Sequence, residues 1–178
     1  MNQDFKNPIN HMLQGLAYWM SYRKEMSSID VIEADLVLVA TDLLRASLST
    51  DYSVRREITR KSFSSLNNRQ RVDLGIYSKA DEEYRCLIEF KLADATNGGY
   101  NNDVIKLKEL KDKAKNIDCL VVILYRKPCN FSSPKELVNA QGKAQRKLNN
   151  NIIVRRVCHS YSSRTSNKSL KAICVEVL

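Results

Sequence analysis

Apolar residues recur along this chain first with a helical period and then with a period of two. Met12, Leu16, Trp19 and Met20 are spaced as on one face of a helix. Asn7-Pro8 precedes them as an N-cap followed by proline in the first turn, which predicts a helix from Ile9 to about Arg23. Polar residues from Lys24 to Ser28 interrupt it. A second helix is predicted from near Asp30 to about Leu48. Its residues Val31, Ile32, Leu36, Val37, Val39, Ala40, Leu43 and Leu44 form a wide apolar face, as expected of a helix buried on more than one side. The period then shortens. Tyr52 to Thr59 reads as a strand. Arg71 to Tyr77 alternates, with Arg71 and Asp73 on one face and Val72, Leu74 and Ile76 on the other. Leu87 to Lys91 alternates too, setting Glu89 and Lys91 against Ile88 and Phe90.

Lys61 to Gln70 and Ala93 to Gly99 read as polar loops. A third helix is predicted over about Asp103 to Lys115, with Asp103 as its cap. Cys119 to Tyr125 is a continuous apolar run, which fits a central strand covered on both faces. Ser133-Pro134-Lys135-Glu136 is a helix start, with Ser as N-cap, Pro next and Glu three residues on. Leu137, Ala140, Ala144 and Leu148 would line one side of that helix. Two late strands, about Ile152 to Cys158 and Leu170 to Val177, flank a polar loop. Antiparallel strands followed by a helical crossover imply an α/β (α+β) fold, a central mixed sheet flanked by helices. The expected organisation is one domain over residues 1–178, with 1–28 as an N-terminal helical extension.

The chain has 178 residues, 43% of them hydrophobic, enough for one domain with a sizeable core. The richest apolar stretch, Leu36 to Leu44, is broken by Thr41 and Asp42 and is too short to span a bilayer. Met1 to Lys6 lacks the regions of a signal peptide, so a cytoplasmic, reducing setting is expected. The five cysteines, Cys86, Cys119, Cys129, Cys158 and Cys174, include no C-x-x-C pair, and most lie in apolar segments as small hydrophobes. With only His11 and His159, far apart, a zinc or His-based metal site is not expected. The net charge of +9 points to a polyanionic partner, nucleic acid ahead of others.

The chemistry concentrates on Asp73, Glu89 and Lys91. If their strands pair as a hairpin, two carboxylates and an ammonium share one rigid surface. Two carboxylates can hold a hard divalent cation, and an ammonium beside them can orient water or neutralise a phosphate. The competing reading is a solvated strand face. Against it, the flanking residues are strongly apolar and Asp is disfavoured inside strands. Glu33, with Asp30 three residues earlier, could instead complete a capping box. Glu57 reads equally as an acid near the site or as a strand ion pair. Arg55, Arg56, Arg60, Lys61, Arg69 and Arg71 fall near this centre, and Lys143, Arg146 and Lys147 lie on a predicted helix. Arg56 and Arg71 are the first candidates for phosphate contacts, because their strands carry the acids. Tyr100 is a candidate for stacking on a base.

The order and spacing resemble the PD-(D/E)xK nuclease superfamily, the restriction-endonuclease-like three-layer fold. The resemblance runs from about Asp30 to Tyr125: a helix through Glu33 and Leu44, a strand at Val54-Arg55-Arg56-Glu57-Ile58, Asp73 on the next, and Glu89-Phe90-Lys91. It is similar to the nuclease domain of type I restriction motor subunits. Val72 stands where the motif has proline, and the Gln-x-x-x-Tyr element of some relatives is not evident after Lys91.

The resemblance implies roles. Asp73 and Glu89 would bind Mg²⁺, with Mn²⁺ as a substitute, and the Phe90 carbonyl would be a further ligand. Lys91 would orient or help deprotonate the attacking water and stabilise charge on the phosphate. Glu33 would reach the site from its helix, directly or through a water. The expected function is metal-dependent hydrolysis of phosphodiester bonds, in DNA ahead of RNA. Folds of this type often dimerise, and a homodimer or a larger defence or repair assembly stays open. The alternative is a catalytically silent nuclease-like domain that binds nucleic acid or an acidic protein partner.

Overall fold

The structure, a computed structural model, describes residues 1–26, 31–59, 63, 71–93, 101–114, 116–125, 152–161 and 169–178. The helix expected after Ser133, most of the polar loops expected over Lys61 to Gln70 and Ala93 to Gly99, Asp30, Cys129 and several candidate cations (Arg60, Lys61, Arg69, Lys143, Arg146 and Lys147) lie outside the described residues.

Two helices come first, α1 (Gln3–Met26) and α2 (Glu33–Ser47), then strands β1 (Tyr52–Ile58), β2 (Val72–Ser78) and β3 (Glu83–Ala93). Helix α3 (Asn101–Lys113) leads to β4 (Asp118–Tyr125), and β5 (Ile152–Tyr161) and β6 (Ser169–Val177) complete the described elements. The strands form one six-stranded sheet in the order β1-β2-β3-β4-β6-β5. Only β3 and β4 pair in parallel, which is why a helical crossover must join them; the other neighbours are antiparallel. The fold is a mixed α/β one, as expected.

Helix α1 starts earlier than the Asn-Pro signal indicated. Asn2 Oδ1 accepts the Asp4 N–H at 3.1 Å, so Asn2 does the capping and Asn7-Pro8 lies within the helix. The earlier start lets Phe5 join Ile9, Met12, Leu13 and Leu16 on one buried stripe. Helix α2 buries Leu36, Ala40 and Leu44, while Leu38 stays exposed, so it packs on one side rather than all round. Helix α3 begins at Asn101, which puts Asp103 in the first turn and not at the cap.

Both faces of the sheet are covered. Ile88, Phe90, Leu120, Val122 and Cys174 pack with α1 and α2. Leu87, Cys119, Val121, Ile123 and Val175 pack with Val104, Leu107 and Leu110 of α3. Strand β4 therefore alternates into two cores, as its unbroken apolar run requires. Four described cysteines, Cys86, Cys119, Cys158 and Cys174, are free and buried. Burial pushes the thiols of Cys119 and Cys174 up to about 12, which keeps them protonated and unreactive. No described helix is long and apolar enough to cross a membrane.

One departure from strict alternation bears on the site. Leu74 and Ile76 face α1 and α2, but Val72 packs with Ile58 and Val104 on the α3 side. Ile58 and Val72 are register partners, so both strands change face at the same level. Glu57 stands at that level with a left-handed φ of 50°, which lets Ile58 turn to the opposite core from Val54. The expected grouping of Val72 with Leu74 and Ile76 is corrected accordingly.

Candidate active site

Strands β2 and β3 part where their acids begin. Their ladder runs up to Leu74↔Ile88, and beyond it side chains replace backbone pairing. Asp73 Oδ2 accepts the Phe90 N–H at 2.8 Å, and Glu33 Oε1 accepts the Leu92 N–H at 3.2 Å. Successive inward-facing amides of β3 are thus satisfied by carboxylates from β2 and α2. The Phe90 carbonyl leaves the strand on the same side as its N–H, toward these acids.

Glu33 is free to do this because Asp35 caps the helix. The Asp35 carboxylate accepts the Ile32 N–H at 3.1 Å, the position a capping residue takes. Glu33, one turn-edge earlier, projects to β3, where Oε1 also lies 3.2 Å from Lys91 Nζ. Of the two readings open for Glu33 in the sequence, the structure places it beside Lys91.

Glu89 is only 4% exposed. Burial and the neighbouring Asp73 charge push its carboxyl up to about 8, with Lys106 offsetting part of the effect. Asp73 is raised as well, first by burial, against the lowering influence of the Phe90 amide and of Glu89. The two carboxyls titrate as a coupled pair. Burial pulls the Lys91 pKa down, but the Glu33 carboxylate outweighs it and the net shift is upward, so Lys91 is a firmly held cation.

Helix α3 contributes two residues that the sequence reading missed as site groups. Lys106 Nζ lies 2.5 Å from Glu89 Oε1, 2.8 Å from the Arg71 carbonyl and 3.9 Å from Asp103 Oδ1. The Lys106 ammonium is the charge that faces the buried Glu89 Oε1. Asp103 is raised by burial, with Lys106 and Lys91 opposing. An Asp-x-x-Lys pair on a charged helix carries no local signal; only the crossover brings it to Glu89.

A cleft of about 630 Å³ opens on the α2 side, lined by Glu33, Ala34, Val37, Arg56, Glu57 and Asp73. Arg56 therefore shares a cavity with two of the acids. The Arg71 guanidinium is 2.5 Å from Oε2 of Glu57, itself a lining residue, in an exposed pair at the margin of the cleft. Tyr100 lies outside the described residues. Among the described residues, no three His, Cys, Asp or Glu side chains are grouped closely enough to enclose a metal ion by themselves. The donor chemistry of a hard cation is nevertheless present at Asp73, Glu89 and the Phe90 carbonyl. A cation there would share Glu89 with the Lys106 ammonium, which lies 2.5 Å from Oε1.

No protein-family model matches the chain, no curated protein matches its sequence, and no solved structure matches its fold.

Proposed function

We propose that this protein is a metal-dependent nuclease of the restriction-endonuclease-like kind, hydrolysing phosphodiester bonds in DNA ahead of RNA. The observation that carries this reading is the meeting of Asp73, Glu89 and Lys91 where β2 and β3 part, with Glu33 held on Lys91. The antiparallel β1-β2-β3 unit followed by the α3 crossover to parallel β4 supports the fold assignment.

Asp73, Glu89 and the Phe90 carbonyl are the groups that would hold Mg²⁺ or Mn²⁺. The cation would supply charge to the phosphoryl oxygens and acidify the attacking water. The chain's own residues do the rest. Lys91, kept protonated by Glu33, donates to a phosphate oxygen and stabilises the charge that builds there; of its two expected roles, this one suits its raised pKa. Glu33, half-exposed at the cleft, accepts a hydrogen bond from the water and orients it. Arg56 offers a guanidinium to the flanking phosphates. Water attacks phosphorus and releases a proton to solvent, the bond to the leaving oxygen breaks, that oxygen takes up a proton from solvent, and no covalent protein intermediate forms.

A second reading has its own observation. The Lys106 ammonium already lies against Glu89, and an internal cation there suits a silent domain that binds nucleic acid without cutting it. Incubation with linear, circular and single-stranded DNA and with RNA, in Mg²⁺ or EDTA, separates the two. Degradation in Mg²⁺ that stops in EDTA supports the nuclease. Binding of nucleic acid with no cleavage of any substrate supports the silent domain.

A further inference from the structure

A second cleft, of about 540 Å³, lies on the α3 side of the sheet and takes no part in the chemistry above. Its walls include Arg55, Phe63, Tyr77, Tyr84, Lys113 and Asn116. The three rings form one cluster. Tyr77 and Tyr84 meet edge to face with centroids 5.2 Å apart, and Phe63 tilts against Tyr84 at 5.5 Å. The Arg55 guanidinium lies 3.4 Å from the Tyr77 centroid and 5.8 Å from that of Tyr84. All three rings are half-buried.

Gly75 is what permits this arrangement. A Cβ there would come within 2.6 Å of Tyr84 Cδ1 and 3.2 Å of Ile58 Cγ1, so Tyr84 lies across the bare backbone of β2. Arg55 and Arg56 are successive on β1, the edge strand, and so point to opposite faces. Arg56 lines the acid cleft and Arg55 the aromatic one. The two cavities flank one strand, each marked by a guanidinium.

We propose that the aromatic cleft holds an unpaired base of a single-stranded segment of the nucleic-acid substrate. This rests on the nuclease reading for its partner but not for its chemistry. The exposed Arg55 guanidinium, stacked on the Tyr77 ring, offers a planar outer face to a base, and the Lys113 ammonium offers a charge to its phosphate; a base inside a duplex has no free face to offer. Asn116 at the rim can meet a base edge. Tyr77 lies four residues from Asp73 on β2, roughly 13 Å at about 3.3 Å per residue. The two clefts lie on opposite faces of the sheet, so a strand that reached both would pass round the edge strand β1.

The test is fluorescence anisotropy in EDTA, where nothing is cut, with a labelled oligothymidylate, the matching duplex and thymidine monophosphate as probes. Tyr77→Ala and Arg55→Gln are each expected to weaken single-strand binding about tenfold and to leave duplex binding within about twofold. Tyr77→Phe should restore affinity. Because Arg55 is exposed and Tyr77 only half-buried, circular dichroism should match wild type. Unchanged single-strand affinity in both variants overturns the proposal. So does an equal loss for duplex and single strand, which would mean phosphate contact alone, or tight binding of thymidine monophosphate by itself, which would mean a free-nucleotide site. A wild-type protein that cuts nothing, yet binds single strands through Tyr77, refutes the nuclease reading and upholds this one. Cleavage of the single-stranded substrate with a KM that does not depend on Tyr77 does the reverse.

Discussion

The Phe90 amide donates to the Asp73 carboxylate at 2.8 Å, at the point where β2 and β3 stop pairing. Asp73 thus has a structural duty beside its proposed chemical one, and two substitutions separate them. Asp73→Asn keeps an acceptor for the amide and should cost less than about 1 kcal/mol of stability. Asp73→Ala strands the amide and should cost about 1–3 kcal/mol. Both should lose cleavage by more than about a hundredfold. Denaturant titration beside a cleavage assay checks this; equal activity in Asp73→Asn would leave the residue a purely structural role.

Glu33 and Asp35 offer a cleaner division. Asp35→Ala removes the carboxylate that accepts the Ile32 N–H and should cost about 0.5–1 kcal/mol with the rate unchanged. Glu33→Gln keeps an acceptor for the Leu92 amide but loses the charge that holds Lys91. It should slow cleavage at least about tenfold with little change in stability. A reversal of these two phenotypes in stability and rate measurements would move the site off Glu33.

Much of this was legible in the sequence. Glu89 and Lys91 were readable because strict alternation put them opposite Ile88 and Phe90, and the structure keeps that division. The central strand at Cys119 to Tyr125 was readable from its unbroken apolar run. Other features depend on tertiary contacts that leave no local mark. Asp103 and Lys106 look like any charged helix face until the crossover sets α3 over Glu89. Asn7-Pro8 is a strong local signal, but Asn2 supplies the cap and burial of Phe5 draws the helix start toward it. The change of face at Ile58 and Val72 turns on Glu57, a left-handed residue with no glycine to announce it.

The raised carboxyl of Glu89 makes stability depend on pH. Its ordinary pKa is 4.5 and in the folded protein it is about 8. Between those values the folded state keeps a proton that the unfolded chain releases, so stability falls as pH rises from about 4.5 to about 8 and stays low above. Glu89→Gln should flatten that profile, gaining up to a few kcal/mol over wild type at pH 8.5 and little at pH 5. Thermal unfolding across this range checks it. Cation affinity should run the other way, strengthening up to about pH 8 as Glu89 ionises.

Lys106 should show the complementary pattern. Lys106→Met removes the charge beside Glu89 and the donor to the Arg71 carbonyl. At pH 5, where Glu89 is neutral, the loss should be about 1 kcal/mol, that of one hydrogen bond. At pH 9 it should approach about 3 kcal/mol, because a buried carboxylate then lacks its counter-charge. Equal losses in Tm at the two pH values would show that the ammonium does not serve Glu89.

The most direct test of the centre is cleavage of one labelled DNA in Mg²⁺ by wild type and Glu89→Gln, purified side by side with their folding verified. Glu89→Gln preserves shape and removes only the ionisable oxygen pair at the parted strands. Wild type should cleave in Mg²⁺ and not in EDTA, and the variant should be slower by more than about a thousandfold. Full cleavage by Glu89→Gln would contradict this.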